Sequence, residues 1–443
     1  MSHCPTTRRY PRLPAVAAAN QRRPVGGDAG GHAGGHAGGR VGGRAGWAAL
    51  GLVLALAGCG GGGGGDGSGS TAPGQASASA APALSAVASL GELAFHDPSL
   101  SASGRQACSS CHDPAHGHAS PNSLPAQSGG ATLALQGGRN VPSIRYLASN
   151  TAFRFAADGT PTGGFFWDGR AASLQAQAGE PLLNPREMAN TSQAEVVQRL
   201  ALAPYAAQFK TLFGQDIFSQ PALAFARLTL ALQQYQREDP DFQPFSSQYD
   251  AFLRGQTTLS LSQLRGLALF NAADKGNCAA CHPSARGADG SLPLFTDFSY
   301  DNLGVPRNTA LAQNADPAYF DLGLCSRSDA GLAQRTDLCG AFKVPSLRNV
   351  ALRGALFHNG RFGTLKEALT FYVQRDTQPE KWYPLRADGT VDKFNDLPAL
   401  WRNNVNTSEV PYNRSAGAQP ALTDAEINDL IAFLGTLTDG FVP

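Results

Sequence analysis

Two pentapeptides of the form Cys-x-x-Cys-His lie 170 residues apart in this chain of 443 residues. They comprise Cys108, Cys111 and His112 in the first copy, and Cys278, Cys281 and His282 in the second. In this arrangement two thiols can bond to a porphyrin edge while the adjacent imidazole binds its iron, which is the attachment pattern of c-type haem. Zinc or disulfide Cys-x-x-Cys motifs are the alternative, but a zinc knuckle does not require His directly after the second Cys. The sequence therefore predicts two covalently bound haem c groups, with the iron of haem one on His112 and that of haem two on His282.

The other cysteines separate by position. Cys4 lies near the N-terminus, and Cys59 follows an apolar run. Cys325 and Cys339 stand 14 residues apart in one loop-like segment. In an oxidising compartment this last pair predicts a disulfide, with two free buried thiols as the alternative.

The N-terminal segment reads as an export signal. Arg40 and Arg44 precede an apolar run over residues 47–57, which is too short to span a bilayer as a stable helix. The run ends in Leu-Ala-Gly before Cys59, which resembles the lipobox of bacterial lipoproteins, where cleavage leaves the cysteine as an acylated N-terminus. An ordinary secretory signal with an incidental cysteine is the alternative. We expect a lipid-anchored protein of the periplasm, with a leader over residues 1–59 and a flexible Gly/Ser/Ala-rich linker over residues 60–85.

The charge balance points away from two classes of partner. The formal net charge is +1 at pH 7, so neither nucleic acid nor an anionic membrane surface is indicated, and the lipid anchor would be the sole membrane contact. Without leader and linker, roughly 358 residues remain, which is enough for two cores of ordinary size.

The elements that must position the two motifs read as helices joined by long loops. Capping boxes at Ser192-x-x-Glu195, Thr364-x-x-Glu367 and Thr423-x-x-Glu426 open apolar-periodic runs. No region shows sustained period-two alternation. We therefore predict a mostly α fold of two cytochrome c-like haem domains with long loops, preceded by a disordered leader and linker. The domains would span residues 86–252 and 253–443, because a helix leading to the second motif starts just after this boundary.

Six further segments carry a resemblance to a known family. They are residues 100–106 (LSASGRQ), 166–170 (FWDGR), 183–188 (LNPREM), 302–306 (NLGVP), 342–349 (FKVPSLRN) and 358–362 (HNGRF). In this order, from about Leu90 to the C-terminus, the chain resembles the bacterial dihaem cytochrome c peroxidase and MauG family, with Asn359 where the family usually has Asp. The resemblance implies a peroxidatic N-terminal haem domain and an electron-transfer C-terminal one.

Peroxide reduction requires an iron with one open face and a group that moves a proton between the two peroxide oxygens. The resemblance assigns this proton transfer to Glu187, with Gln177 beside it, and implies that Trp167 bridges the two haems. From residue types alone, Glu187 would be read as a surface carboxylate and Trp167 as a buried aromatic at a domain seam. The resemblance also implies that Asn140 helps to hold a calcium ion between the modules, because calcium takes oxygen ligands.

The resemblance also bears on the first iron. In classical members of the family a His in the following loop binds this iron until the second haem is reduced, but no His lies between His118 and Trp167 here. His116 and His118 follow His112 too closely to reach the opposite face, so we read them as loop or propionate contacts. Haem one should therefore have an open face.

The second haem lacks the methionine ligand that peroxidases of this family use, because the only methionines are Met1 and Met188. In an alignment on His358, the ligand position falls on Phe357, which cannot bind iron. Three alternatives stay open: His358 becomes the sixth ligand, the site stays open, or a tyrosine such as Tyr300 binds, as a Tyr does in MauG-like members.

These features predict a periplasmic dihaem c-type peroxidase that reduces hydrogen peroxide at the N-terminal haem, with electrons relayed through the C-terminal haem from a small redox protein. In a second hypothesis, a MauG-like enzyme uses peroxide to oxidise side chains of a partner protein. A third, from another class, is a non-catalytic dihaem electron carrier, which would not need Glu187 and Gln177 beside an open iron. A homodimer is a candidate assembly.

Overall fold

The computed structural model describes residues 83–327, 329 and 331–443. The predicted leader, the lipidation candidate Cys59 and residues 60–82 of the linker lie outside this set. In the described ranges, no helix combines the length and apolar character needed to cross a bilayer.

Helices dominate the regular structure. The described residues form nine α-helices, with short 3-10 turns between them: α1 Ala86–Phe95, α2 Leu174–Leu183, α3 Gln193–Leu202, α4 Ala206–Phe213, α5 Pro221–Glu238, α6 Gln248–Leu253, α7 Leu261–Asn271, α8 Leu365–Gln374 and α9 Asp424–Gly435. The prediction of a mostly α fold is confirmed.

Two of the three predicted capping boxes form. Thr364 and Thr423 precede α8 and α9, and each exchanges reciprocal hydrogen bonds with the glutamate three residues on. Ser192 caps α3 by accepting a hydrogen bond from the Glu195 N–H. The Glu195 carboxylate, however, accepts from the backbone and hydroxyl of Thr191 instead of returning to Ser192. The prediction of a full box at this helix was therefore wrong, because the residue before the cap offers two donors.

The first hydrophobic core forms where α1 packs on α5. Gly91 of α1 lies against the backbone of Ala231 in α5, and a Cβ at Gly91 would collide with the Ala231 carbonyl oxygen. The missing side chain thus lets the two helices approach closely. Leu90, Phe95 and Leu228 are buried around this contact.

The second hydrophobic core repeats this arrangement with α7 and α9. A Cβ at Gly266 of α7 would collide with the Asp429 carbonyl oxygen of α9, and Phe270, Phe295 and Phe433 are buried nearby. The first core draws on residues between 90 and 242, and the second on residues between 249 and 437. The domain boundary at 252/253 stays a prediction.

Within the described ranges, three antiparallel pairs of two-residue strands connect the long loops. They are β1 Ser128–Gly129 with β2 Leu135–Gln136, β3 Arg154–Phe155 with β4 Pro161–Thr162, and β5 Tyr300–Asp301 with β6 Phe342–Lys343. In the last pair Tyr300 stands opposite Lys343, and the Lys343 N–H donates to the Trp167 carbonyl oxygen at 2.8 Å. This pair therefore holds the segment 342–349 beside Trp167.

A buried ion pair anchors the other end of the segment 342–349. The Arg348 guanidinium donates to both carboxylate oxygens of Asp250 in α6 at 2.8 Å, and both side chains are buried. The guanidinium also lies over the rings of Tyr146 and Phe245, at 4.7 and 4.6 Å from their centroids. Removing either Arg348 or Asp250 would leave the other charge buried and uncompensated. We therefore expect such a substitution to lower the free energy of unfolding by about 3–5 kcal/mol.

Candidate active site

A first cavity is bounded by the first Cys-x-x-Cys-His motif. Cys108 opens a 3-10 turn, and the His112 N–H donates to the Cys108 carbonyl oxygen at 2.9 Å. The turn places Cys108, Cys111 and His112 together on the cavity wall. Nδ1 of the His112 imidazole donates to the carbonyl oxygen of His118 at 3.1 Å, which leaves Nε2 for a partner in the cavity.

A second cavity is built in the same way around the second motif. Cys278 opens a 3-10 turn, and Cys278, Cys281 and His282 line the wall. Here Nδ1 of His282 donates to the carbonyl oxygen of Phe295 at 2.7 Å.

Both cavities fit a covalently attached haem. Each presents two thiols and an imidazole whose Nδ1 is already committed to a carbonyl. Burial lowers the pKa of His112 to about 4, which keeps this imidazole in the neutral form that binds metals. Across the described residues, no group of three or more His, Cys, Asp or Glu side chains could hold a metal ion by itself. The donor set therefore suits a porphyrin-bound iron with one protein ligand.

Glu187 lies in the first cavity, shortly after the end of α2. Its Oε1 accepts a hydrogen bond from Asn184 Nδ2 at 2.6 Å. Its backbone is held by the β1 loop, since the Gly130 N–H donates to the Glu187 carbonyl oxygen at 2.7 Å and a side chain at Gly129 would collide with this segment. Burial raises the pKa of Glu187, against the lowering effect of the Arg170 guanidinium and the Asn184 hydrogen bond.

Gln177 on α2 lines the same cavity, so the structure brings Glu187, Gln177 and Trp167 together around it. Of the described residues lining this cavity, His112 is the only histidine. Met188 also lines it, but this side chain is 4% exposed and packs in the first hydrophobic core.

The two histidines that follow His112 point elsewhere. The ring of His116 pairs with the Asp113 carboxylate at 2.7 Å. His118 packs on Phe242, with 4.2 Å between ring centroids, and its Nδ1 accepts a hydrogen bond from Arg145 Nε at 3.1 Å. Within the described chain, neither lines the first cavity.

Trp167 lines both cavities and is 7% exposed. Its indole N–H donates to the Asn140 carbonyl oxygen at 2.8 Å. The Asn140 side-chain amide donates to the carbonyl oxygens of Ala355 and Phe357 at 2.9 and 3.1 Å. Its Oδ1 is buried and has no hydrogen-bond partner among the described residues. Asn140 therefore links the indole to the second half of the chain and keeps one oxygen unsatisfied.

The histidine and tyrosine suggested for the second iron differ in position. His358 lines the second cavity, but its ring stacks on Phe342 with 3.5 Å between centroids and 9° between planes. Burial lowers the pKa of His358 to about 4. Tyr300 is fully buried, and its hydroxyl donates to the Gly163 carbonyl oxygen at 2.6 Å. Because Tyr300 is not among the described residues that line the second cavity, it is not supported as a ligand.

Comparison with known proteins gives one consistent relationship. The model of the di-haem cytochrome c peroxidase family matches residues 85–258. The methylamine utilization protein MauG of Paracoccus denitrificans is 36% identical over 372 residues, covering 81% of this chain and 90% of the relative. Cytochrome c551 peroxidase of Nitrosomonas europaea is 30% identical over 296 residues, 65% of this chain and 73% of the relative. The crystal structure of the diheme peroxidase BthA from Burkholderia thailandensis matches with a TM-score of 0.74 at 40% identity, over 80% of this chain and 86% of that one.

The chain belongs to the di-haem cytochrome c peroxidase family. The predicted resemblance and the prediction of a haem peroxidase are confirmed by these relatives. Membership implies two c-type haems, for which the two cavities of this di-haem peroxidase supply the thiols and imidazoles.

Two tyrosines of this di-haem peroxidase were missed in the sequence. Tyr372 and Tyr412 both line the second cavity, with 6.0 Å between their ring centroids. Burial raises the pKa of both phenols, and neither hydroxyl has a hydrogen-bond partner among the described residues. The missed signal is the helical period: Tyr372 follows Leu365, Ala368 and Leu369 by seven, four and three residues, and all four line the cavity on one face of α8.

A disulfide joins Cys325 and Cys339 in the loop after β5. The Cys339 carbonyl oxygen accepts a hydrogen bond from Asn302 Nδ2 at 3.0 Å, so the cross-link lies next to the segment 302–306 that enters the second cavity.

Proposed function

We propose that this protein reduces hydrogen peroxide to two waters at the first haem, with two protons and two electrons that enter by way of the second haem. One observation carries the proposal. The carboxyl of Glu187 stands in a cavity where, among the described lining residues, His112 is the only histidine. A carboxyl beside an iron with a free face is the arrangement that peroxide reduction needs, whereas an electron carrier has no use for it.

When bound, the haems supply the iron at which the peroxide O–O bond breaks and the store for two oxidising equivalents. Glu187 moves the proton. Its Oε1 is held by Asn184, and its Oε2 has no hydrogen bond among the described residues and is free to face the substrate. In its ionised form the carboxylate can take a proton from one peroxide oxygen and return it to the other, which then leaves as water. Burial raises the pKa of Glu187, which makes the carboxylate a stronger proton acceptor.

Trp167 is the residue that we assign to electron transfer. It lines both cavities, its indole N–H is fixed on Asn140, and its carbonyl oxygen accepts from Lys343. Its ring is therefore an ordered aromatic group between the two haem sites.

We propose that Tyr372, together with His282, would hold the iron of haem two. The support is the position of this half-buried side chain on the cavity-facing side of α8, and its hydroxyl, which has no hydrogen-bond partner in the described chain. His358 is the weaker candidate because its ring is engaged in the stack on Phe342. A phenolate ligand would give a lower reduction potential than the methionine that raises it in cytochromes c.

This ligation favours a second function, MauG-like oxidation of a partner protein's side chains with peroxide. The MauG relative aligns over 90% of its own length, which supports this alternative. The two functions differ in the electron donor: a small redox protein in the first, a side chain of a partner protein in the second.

We also propose that Asn140 holds a calcium ion. If its side-chain amide is exchanged end for end, the unsatisfied Oδ1 points at the carbonyl oxygens of Ala355 and Phe357. Three oxygens would then converge, which suits Ca²⁺.

Export to the periplasm with a lipid on Cys59 is a further proposal, as is a homodimer. The disulfide between Cys325 and Cys339 supports an oxidising compartment. Cell fractionation of the wild-type protein and of Cys59→Ala tests the anchor, since only the wild type should enter the membrane fraction.

A steady-state assay of the purified holoprotein with hydrogen peroxide and reduced cytochrome c tests the function. Rapid cytochrome oxidation is expected for the peroxidase. Peroxide consumption that needs a partner protein, with no cytochrome oxidation, would favour the MauG-like alternative. No peroxide consumption with either donor, from protein that carries both haems, would contradict both and leave the electron carrier.

A further inference from the structure

The two cavities share one wall. Seven of the described residues line both of them: Trp167, Asp321, Lys343, Val344, Pro345, Ser346 and Arg353. Three of the seven are charged. A group bound by these charged side chains would therefore lie next to both haem sites.

The acidic member of this wall already has a partner. The Asp321 carboxylate accepts from Arg139 Nε and Nη2 at 2.6 and 2.7 Å. Arg139 also donates to Asp168 at 2.7 Å, and Asp168 accepts further from Arg170. The negative charges next to the wall are thus neutralised by their own arginines.

The two cations of the wall have no such partner. Lys343 Nζ donates to the Gly164 carbonyl oxygen at 2.8 Å, and Arg353 Nη2 donates to the Val141 carbonyl oxygen at 3.0 Å. Neither forms a salt bridge with any described residue. Burial lowers the pKa of Lys343 to about 7, against the raising effect of the Asp168 carboxylate, and lowers the pKa of Arg353 to about 10. Each has one hydrogen-bond acceptor among the described residues and so retains further N–H donors.

Other arginines that are withdrawn from water have a counter-charge. The buried Arg348 and Arg375 and the half-buried Arg139 each form an ion pair with an aspartate. Lys343 and Arg353 are half-buried and lack such a pair. A cation withdrawn from water without a counter-charge is costly, whereas one that is paired and hydrogen-bonded with a carboxylate is tolerated. The contrast indicates that the counter-charges for Lys343 and Arg353 come from a bound group.

We propose that Lys343 and Arg353 form a carboxylate-binding site on the shared wall, which holds propionate groups of the two haems. The proposal rests on the two haem sites described above. A haem c carries two carboxylates on its porphyrin edge and therefore supplies the missing charge in both cavities. Because each cation lines both cavities, each contributes positive potential to both irons, and the two haems share one electrostatic environment.

A reduction-potential measurement tests this site. A nearby cation disfavours the more positive, oxidised iron, so removing the cation should lower the potential. We expect Lys343→Gln and Arg353→Gln each to lower the potentials of both haems, by at least a tenfold change in the oxidation equilibrium, which is 59 mV for one electron. The matched control is Arg265→Gln, which removes the same charge from an exposed pair with Asp429. Spectroelectrochemical titration of the purified holoprotein gives the potentials, and a pyridine haemochrome assay counts the haems.

The outcomes are distinguishable. Potentials of both variants equal to those of the Arg265→Gln control, with two haems attached, would overturn the carboxylate site while leaving the haem assignment intact. Fewer than two haems in the wild-type protein would instead overturn the haem sites themselves. If Arg353→Gln fails to retain haem, Arg353→Lys decides. If Arg353→Lys retains both haems and has the wild-type potentials, the site requires a positive charge at this position. If Arg353→Lys also fails to retain haem, a requirement for charge is contradicted.

Discussion

The carbonyl oxygen of Phe295 accepts the Nδ1 hydrogen bond of His282 at 2.7 Å, and Phe295 presents it from a left-handed backbone with φ +54°. The first site repeats this relationship, because His118, with φ +52°, accepts from His112. Both acceptor residues are buried, at 0% and 1% exposure, and are held by aromatic neighbours. Non-glycine residues rarely adopt this conformation. Packing of a side chain therefore fixes the carbonyl that orients each proximal imidazole.

Two substitutions of His118 should show whether its left-handed backbone, rather than its side chain, is what orients His112. Asn tolerates left-handed backbone, whereas the β-branched Val resists it. We expect His118→Asn to preserve the iron–histidine stretching band of reduced haem one in resonance Raman spectra, and His118→Val to shift or broaden it. Equal spectra for the two variants would show that the backbone conformation does not orient His112.

Replacing Glu187 with Gln should remove the proton-transfer group while both haems stay attached. We expect peroxide turnover to fall by about 10²–10⁴-fold, the usual contribution of general acid–base catalysis. Glu180→Gln is the matched control, because this carboxylate is 42% exposed and pairs with Arg170 at 2.7 Å. Stopped-flow and steady-state rates measure both variants. Turnover by Glu187→Gln at the control rate would contradict the assignment.

The pH dependence of turnover should report the same carboxyl. Burial raises the pKa of Glu187 above its ordinary value of 4.5. Below this pKa the group is protonated and cannot accept a proton, so on acidification activity should begin to fall at a higher pH than for an ordinary glutamate. A pH–rate profile of kcat/KM shows this acid limb, and Glu187→Gln should lack it. An unchanged limb in the variant would assign the titration to another group.

Tyr372 and Tyr412 can be distinguished by their loss. We expect Tyr372→Phe to convert the ferric spectrum of haem two from low to high spin, and Tyr412→Phe, the matched control in the same cavity, to leave it unchanged. Tyr372→Met should raise the reduction potential, as a thioether ligand does. Electron paramagnetic resonance and redox titration measure these effects. If His358→Ala alone changes the spin state, His358 is the ligand.

Calcium binding should depend on Asn140. We expect one calcium per chain by elemental analysis, lost in Asn140→Leu. Asn190→Leu is the matched control: its Nδ2 also donates to two backbone carbonyl oxygens, but its Oδ1 accepts from Arg199 at 2.9 Å and is satisfied. Equal calcium content in the wild type and Asn140→Leu would remove Asn140 from the site.

Much of the site could be predicted from the sequence because its signals are local. The two Cys-x-x-Cys-His motifs and the capping threonines of α8 and α9 depend on short spacings. Glu187, Gln177 and Trp167 were assigned from the family resemblance, because their residue types alone indicate a surface carboxylate and a buried aromatic. The proposed ligand Tyr372 was not found from the sequence, because an alignment on His358 points to Phe357 and does not follow the helical face of α8. The proposed role of Lys343 and Arg353 could not be predicted from the sequence. It depends on the wall that they share with Trp167, which lies about 180 residues earlier in the chain.

The shared wall has a consequence for the evolution of the molecule. Trp167, from the first half, closes the cavity of the second motif, and Lys343 and Arg353, from the second half, close the cavity of the first. Splitting the gene between the two motifs would remove part of the lining of each cavity. Although each motif attaches its own prosthetic group, the two halves depend on each other. Duplication or exchange of one half alone would therefore leave the cavity of the other half without some of its lining residues.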